Sequence, residues 1–270
     1  MRPTLPSSPV TIEPIESRQL LSVTLLSDGA LQILGTPGDD TITVQMANRV
    51  IGVSDDGVNT DFPASSVKAV HIHAYQGNDV IGISHLQRRV NIFDGNGDNQ
   101  ISSDVFAKVS VGGGSDTVAF NFTVDGENQD LGYDTIYARG TLDATSGGGD
   151  NVIVGGSGND TIATVGGYNT ITGGSGDDAI TCNGGHDSIG GGPGNDMIFV
   201  HGRHSTIHGG QGNDSIQIDA NVGGFDLIGL GAGNDTASVQ SQDTVYTGTG
   251  ADSITGTEDI FSGDPPGVTG

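Results

Sequence analysis

Between residues 151 and 216 isoleucine recurs at every ninth position, at Ile153, Ile162, Ile171, Ile180, Ile189, Ile198, Ile207 and Ile216. Small or polar residues flank most of them, in pieces such as TIA, TIT, AIT, SIG and SIQ, with MIF an exception, and glycines separate the pieces. Outward, inward and outward positions alternate with the period of a β-strand, and the inward residue is β-branched. A helix is excluded by the glycine density, because each glycine costs about 1 kcal/mol relative to alanine inside a helix. The pattern predicts short strands, roughly three residues each, joined by glycine turns.

The turn sequences double the period. GGSGND at 155–160, GGSGDD at 173–178, GGPGND at 191–196 and GGQGND at 209–214 recur every eighteen residues, while the intervening VGGYN and NGGHD keep part of the signal. Two strands and two turns therefore complete one coil. Stacking such coils roughly 4.8 Å apart gives an all-β fold, a parallel β-roll or β-solenoid of about 18-residue coils. Toward the N-terminus the pattern thins to GTPGDDTITV and AYQGNDVIGIS. The expected organisation is a flexible leader at 1–24, a degenerate β-repeat region at 25–92 that caps the roll with Phe62 at its end, the roll itself at 93–262, and a flexible tail at 263–270.

Composition supports an elongated fold over a large globular core: 47 of the 270 residues are glycine and tryptophan is absent. A formal net charge of −24 repels nucleic-acid phosphates and anionic membranes, so neither is an expected partner, and the natural counter-charge is a cation. The single cysteine, Cys182, makes no internal disulfide and is expected in a turn between repeats without a role. No run approaches the ~18 to 20 apolar residues of a membrane span, and the first residues lack the apolar core of a signal peptide. HExxH, GxSxG and GxxxxGK[ST] sequences are missing, so the chain is read as not an enzyme. His186 and His204 share one turn position eighteen residues apart and read as solvated turn histidines.

The turns carry the candidate chemistry. Calcium takes about six to eight oxygen ligands from carboxylates and backbone carbonyls. Glycine permits the positive φ that aims carbonyls at one point, and the closing aspartate adds a charged oxygen. Stacking brings the turn eighteen residues later to within one coil spacing, so Asp160 with Asp178, Asp178 with Asp196 and Asp196 with Asp214 are expected to share ions.

These units resemble the RTX, or haemolysin-type, calcium-binding nonapeptide G-G-x-G-x-D-x-U-x, in which U is a large apolar residue. The resemblance spans roughly residues 35 to 262 and is strongest at 146 to 255. It implies several bound calcium ions, held by Gly155, Gly156, Gly158 and Asp160; Gly173, Gly174, Gly176 and Asp178; Gly191, Gly192, Gly194 and Asp196; and Gly209, Gly210, Gly212 and Asp214. It extends to Asp235 and Asp252. The opposite ladder departs from the pattern at Asn151, Asn169 and Ser205, leaving Asp116 with Asp134 and Asp226 with Asp243 as its candidate sites.

Two further resemblances bear on the chain. DGNGDNQIS, at 94–102, resembles the start of an EF-hand or dockerin loop with Asp94, Asn96 and Asp98 as ligands. It departs at Asn99 and Val105, where that loop needs glycine and glutamate, so a further solenoid turn in register with Asp116 is the better reading. IEPIESRQLLSV, at 12–23, is similar to an N-terminal sorting segment of large bacterial surface proteins. Together these imply a secreted or cell-surface bacterial protein, structural or adhesive, with an extracellular protein or polysaccharide as partner. The alternative is a non-catalytic repeat domain associated with a secreted metalloprotease or alginate epimerase. Ice binding is disfavoured, because the positions flanking Ile162, Ile180, Ile198 and Ile216 form no threonine ladder.

Overall fold

The computed structural model describes residues 22–55, 57–105, 107–120, 135–137, 141–146, 150–219, 224–240, 242–256 and 259–263. The sorting-like segment up to residue 21, Asp134 and the tail from 264 lie outside the described residues. Among the described residues there are two sheets of thirteen strands each, and from Ala69–His73 onward successive strands fall alternately on the two, so the chain winds as a parallel β-solenoid of stacked coils.

The isoleucine columns are its core. On one sheet Ile153 pairs in register with Ile171, then Ile189, Ile207 and Ile228. On the other Ile162 pairs with Ile180, Ile198 and Ile216. All are buried, and their strands show the alternation that the sequence predicts, as in Ala179–Asn183, where Ile180 and Cys182 are buried between exposed or half-buried neighbours. Each stacked isoleucine touches its copy one coil away, so burial is shared along the axis.

In the regular run, from Val152 to Ile218, the strands span four to six residues, while those from Thr236 onward keep the expected three. Val152–Ser157, Thr170–Ser175 and Thr206–Gln211 include the first residues of the glycine turn, because Gly156 pairs with Gly174 and Gly192 with Gly210 as strands do. Coils also continue farther toward the N-terminus than the thinning pattern implies: Ile33 pairs with Ile72, and Ile42 with Ile81. The antiparallel pieces there are the strands Thr41–Ala47, Val50–Asp55 and Val58–Pro63, with Ser22–Leu25 against Ala30–Leu34. Phe62 packs on the core from this end, as its position predicts.

Two turn features differ from expectation. Cys182 is not in a turn but is a rung of Ala179–Asn183, fully buried between Thr164 and Val200, with its Sγ 3.0 Å from Thr164 Oγ1. Burial pushes its thiol up to about 12, which fits an inert packing role. His186 and His204 are indeed turn residues, yet they stack: Tyr168, His186, His204 and Phe225 form a column with ring centroids 4.8, 4.9 and 5.4 Å apart. All four have positive φ, between 62° and 78°, so stacking offsets the strain of a left-handed residue without glycine.

Candidate metal centres

In the glycine-rich turns the aspartate side chain is held by one oxygen and left open at the other. Oδ1 of Asp178 accepts the backbone N–H of Asp160 at 2.8 Å, Asp196 Oδ1 accepts from Asp178 at 2.9 Å, and Asp214 Oδ1 accepts from Asp196 at 2.8 Å. The ladder continues across a three-residue insertion to Asp235 at 2.8 Å and then to Asp252 at 3.0 Å. These bonds fix the rotamers and aim every Oδ2 into the gap between coils. There Oδ2 of Asp160, Asp178, Asp196, Asp214 and Asp235 is buried without a protein partner.

Glycine leaves the space that these oxygens face. A Cβ on Gly155 would lie 2.2 Å from Asp160 Oδ2 and 2.3 Å from the carbonyl oxygen of Gly173. The same bracket forms at Gly173, between Asp178 Oδ2 and Gly191 O, and at Gly191, between Asp196 Oδ2 and Gly209 O. At Gly209 the pair is Asp214 Oδ2 and Leu230 O. A side chain there would collide with a carboxylate oxygen of its own turn and a carbonyl oxygen of the next coil, so only glycine lets these two oxygens draw together at that point. Gly156, Gly158, Gly174, Gly176, Gly192, Gly194, Gly210 and Gly212 all have φ between 109° and 148°, which shapes the turn around that point.

Burial raises these carboxyls. Asp160, Asp178 and Asp214 stand at about 6, chiefly through desolvation and then through the like charges stacked along the column, against backbone N–H bonds that pull the other way. Asp196 and Asp235 are raised for the same leading reason. A carboxyl at about 6 is still ionised at neutral pH. The column therefore sets buried anionic oxygens one above another, a costly arrangement unless a cation lies among them.

The donor set fits a hard cation. No three His, Cys, Asp or Glu side chains converge among the described residues, so backbone carbonyls must complete any coordination sphere. Calcium accepts such ligands, whereas copper, zinc and nickel favour imidazole and thiolate.

The other column solves the same problem without a charge. Asn169 donates through Nδ2 to Gly166 O at 2.9 Å and to Asp187 Oδ1 at 2.9 Å, and Asn151 Nδ2 donates to Asn169 Oδ1 at 2.9 Å. An asparagine carries its own donor into the gap that an aspartate leaves for a cation. Asp187 and Asp226 are exceptions on this side, each with a buried, unpartnered Oδ2, and both are missing from the RTX carry-over or marginal to it. Asp243 is satisfied by Gln240 N at 2.8 Å.

Asp116 falls on a different column from the expected one. Strand Ser115–Phe120 pairs with Thr141–Ser146, Asp116 lies opposite Leu142, and Leu142 N donates to Asp160 Oδ1 at 2.6 Å. Asp116 thus belongs to the column of Asp160, and its expected partner Asp134 lies outside the described residues. The reading of DGNGDNQIS as a solenoid turn agrees with the structure, where Asn99 N donates to Asp116 Oδ1 at 3.1 Å. Sequence reasoning left out Asp79, although Gly77-Asn78-Asp79 repeats the GND signal; its Oδ2 is also buried and unpartnered. Asp40 needs no cation, because Thr36 supplies its N–H at 2.7 Å and its hydroxyl at 3.0 Å.

A parallel β-roll with carboxylate and glycine turns stacked in register defines the class as a metal-binding repeat solenoid. The family model of the RTX calcium-binding nonapeptide repeat matches four stretches, residues 145–167, 164–198, 190–217 and 240–263. Over these stretches the chain is built of RTX repeats, and repeats of this kind bind several calcium ions. No curated protein and no solved structure gave a match to the chain.

Proposed function

We propose that the protein is a calcium-stabilised, non-catalytic module that works outside the cell as a spacer or adhesive element. Asp160, Asp178, Asp196 and Asp214, with their glycine turns, are the principal ligands, and Asp235, Asp252 and Asp116 extend the same column. The observation that carries this reading is the row of buried, unpartnered Oδ2 atoms, which at Asp160, Asp178, Asp196 and Asp214 stand close to a carbonyl oxygen of the next coil beside a glycine that no side chain could replace without a clash. Each ion joins two coils, so ion binding is coil stacking, and binding energy becomes folding energy. A secreted setting agrees with the RTX repeats, and a calcium-rich medium supplies the ions that the fold consumes.

Limited proteolysis at buffered free calcium tests the setting. An extracellular module is expected to reach half-protection at about 10⁻⁴ to 10⁻³ M calcium. Half-protection in the sub-micromolar range would instead mark an intracellular calcium sensor or buffer, and would overturn the extracellular part of the proposal.

A further inference from the structure

The column of turns continues upstream of the matched repeats, through residues 74–79, 94–99 and 111–116. In the regular coils the first turn position is glycine, and a side chain there would collide with the aspartate oxygen. Here that position holds Ala74, Asp94 and Val111. Asp94 is the departure with chemical content, since it places a carboxylate where the pattern requires empty space.

Its surroundings leave one oxygen of that carboxylate unpartnered. Asp94 Oδ1 accepts the N–H of Gly95 at 2.8 Å, while Oδ2 is buried and unpartnered. Asp79, one coil earlier, is fully buried; its Oδ1 accepts the N–H of Asp40 at 2.8 Å and its Oδ2 is likewise unpartnered. The two carboxyl groups lie within hydrogen-bonding reach of each other. Asn99, which closes the same turn, holds its Nδ2 3.4 Å from the carbonyls of Gly95 and Gly97, so an amide already serves the oxygens that a cation takes in the regular turns.

We propose that Asp79 and Asp94 together hold one divalent cation between the coils of residues 74–79 and 94–99, at a site that the glycine repeat does not describe. It rests on the reading that the unpartnered aspartate oxygens of this fold are cation ligands. The competing occupant is a single proton shared by the pair. Asp39, Asp40 and Asp116 stand near the pair, so either occupant sits among further carboxylates, and an ion count separates the two.

Native mass spectrometry of the full calcium-loaded chain tests the site. Asp94→Asn keeps the size and the Gly95 contact but removes the charge, and it is expected to bind one ion fewer than the unaltered chain with the far-UV circular dichroism kept. Asp94→Gly restores the repeat's glycine, and is expected to lose the same ion should the asparagine variant fail to fold. Asp178→Asn, in the regular column, is the control and is expected to lower the count as well. A full count in the Asp94 variants beside a lowered count in Asp178→Asn overturns this site alone and leaves a shared proton. A full count in all the variants overturns the reading on which it rests.

Discussion

Chelating the calcium at neutral pH is expected to abolish the β-sheet circular dichroism of the roll cooperatively, and adding calcium back is expected to restore it. The metal-free coil has little to hold it. Its core is thin, one or two apolar side chains per strand, chiefly isoleucine and valine, and the chain carries a net charge of −24. Domains of ordinary stability hold only about 5–15 kcal/mol in reserve. An ion present at 1,000 times its dissociation constant adds about 4 kcal/mol for each site, so several sites supply as much as the whole margin. Each ion stitches two coils, and loss of one exposes the next, which makes the transition steep in calcium concentration. A β signal that survives complete chelation at pH about 7.5 would show that the roll stands without ions.

Acidifying the chelated protein is expected to bring structure back, whereas acidifying the calcium-loaded protein is expected to weaken it. The sign follows from the carboxyls of Asp160, Asp178 and Asp214, which titrate at about 6 in the fold, above the ordinary aspartate value of 3.8. Between those two values the folded chain binds more protons than the unfolded one, so stability falls as pH rises through the window. Below the window both states are protonated and the full contribution is present. Protons thus do for the metal-free fold part of what ions do at neutral pH. With calcium bound the same protons compete with the ions, and the slope reverses. Far-UV circular dichroism of the chelated protein should show more β signal at pH about 4.5 than at about 7.5, and the calcium-loaded protein should unfold at a lower Tm at pH about 4.5; changes of the same sign in both would contradict the account.

Repetition made the fold legible. A residue such as Ile180 is informative because its copies at Ile162 and Ile198 share its inward position, and the solenoid turns that one-dimensional period directly into stacking. The turns were equally readable, since few folds require a glycine before and after an aspartate at an eighteen-residue spacing. What failed depended on three-dimensional phase. Asp116 was placed on the wrong column because 26 residues separate it from Leu142, and an added half-coil cannot be told from a whole one by counting. Cys182 was placed in a turn because it adjoins Asn183-Gly184-Gly185, yet the strand carries the buried alternation one rung farther. Nothing in the sequence separates the two oxygens of an aspartate. Only the register shows that Oδ1 is spent on the neighbouring coil's N–H and Oδ2 is left for a ligand. Asp94 was read through a loop resemblance for the same reason: its significance lies in the empty glycine position that it fills one coil from Asp79.

The central claim is that the buried Oδ2 atoms between coils are calcium ligands. Long-wavelength anomalous diffraction from crystals grown in calcium tests it most directly. The account predicts a column of anomalous peaks one coil apart, each about 2.3–2.6 Å from an Oδ2 such as that of Asp178 and close to a carbonyl such as that of Gly191. Crystals whose Asp160, Asp178, Asp196 and Asp214 side chains keep this arrangement with no anomalous peak beside any Oδ2 would contradict it.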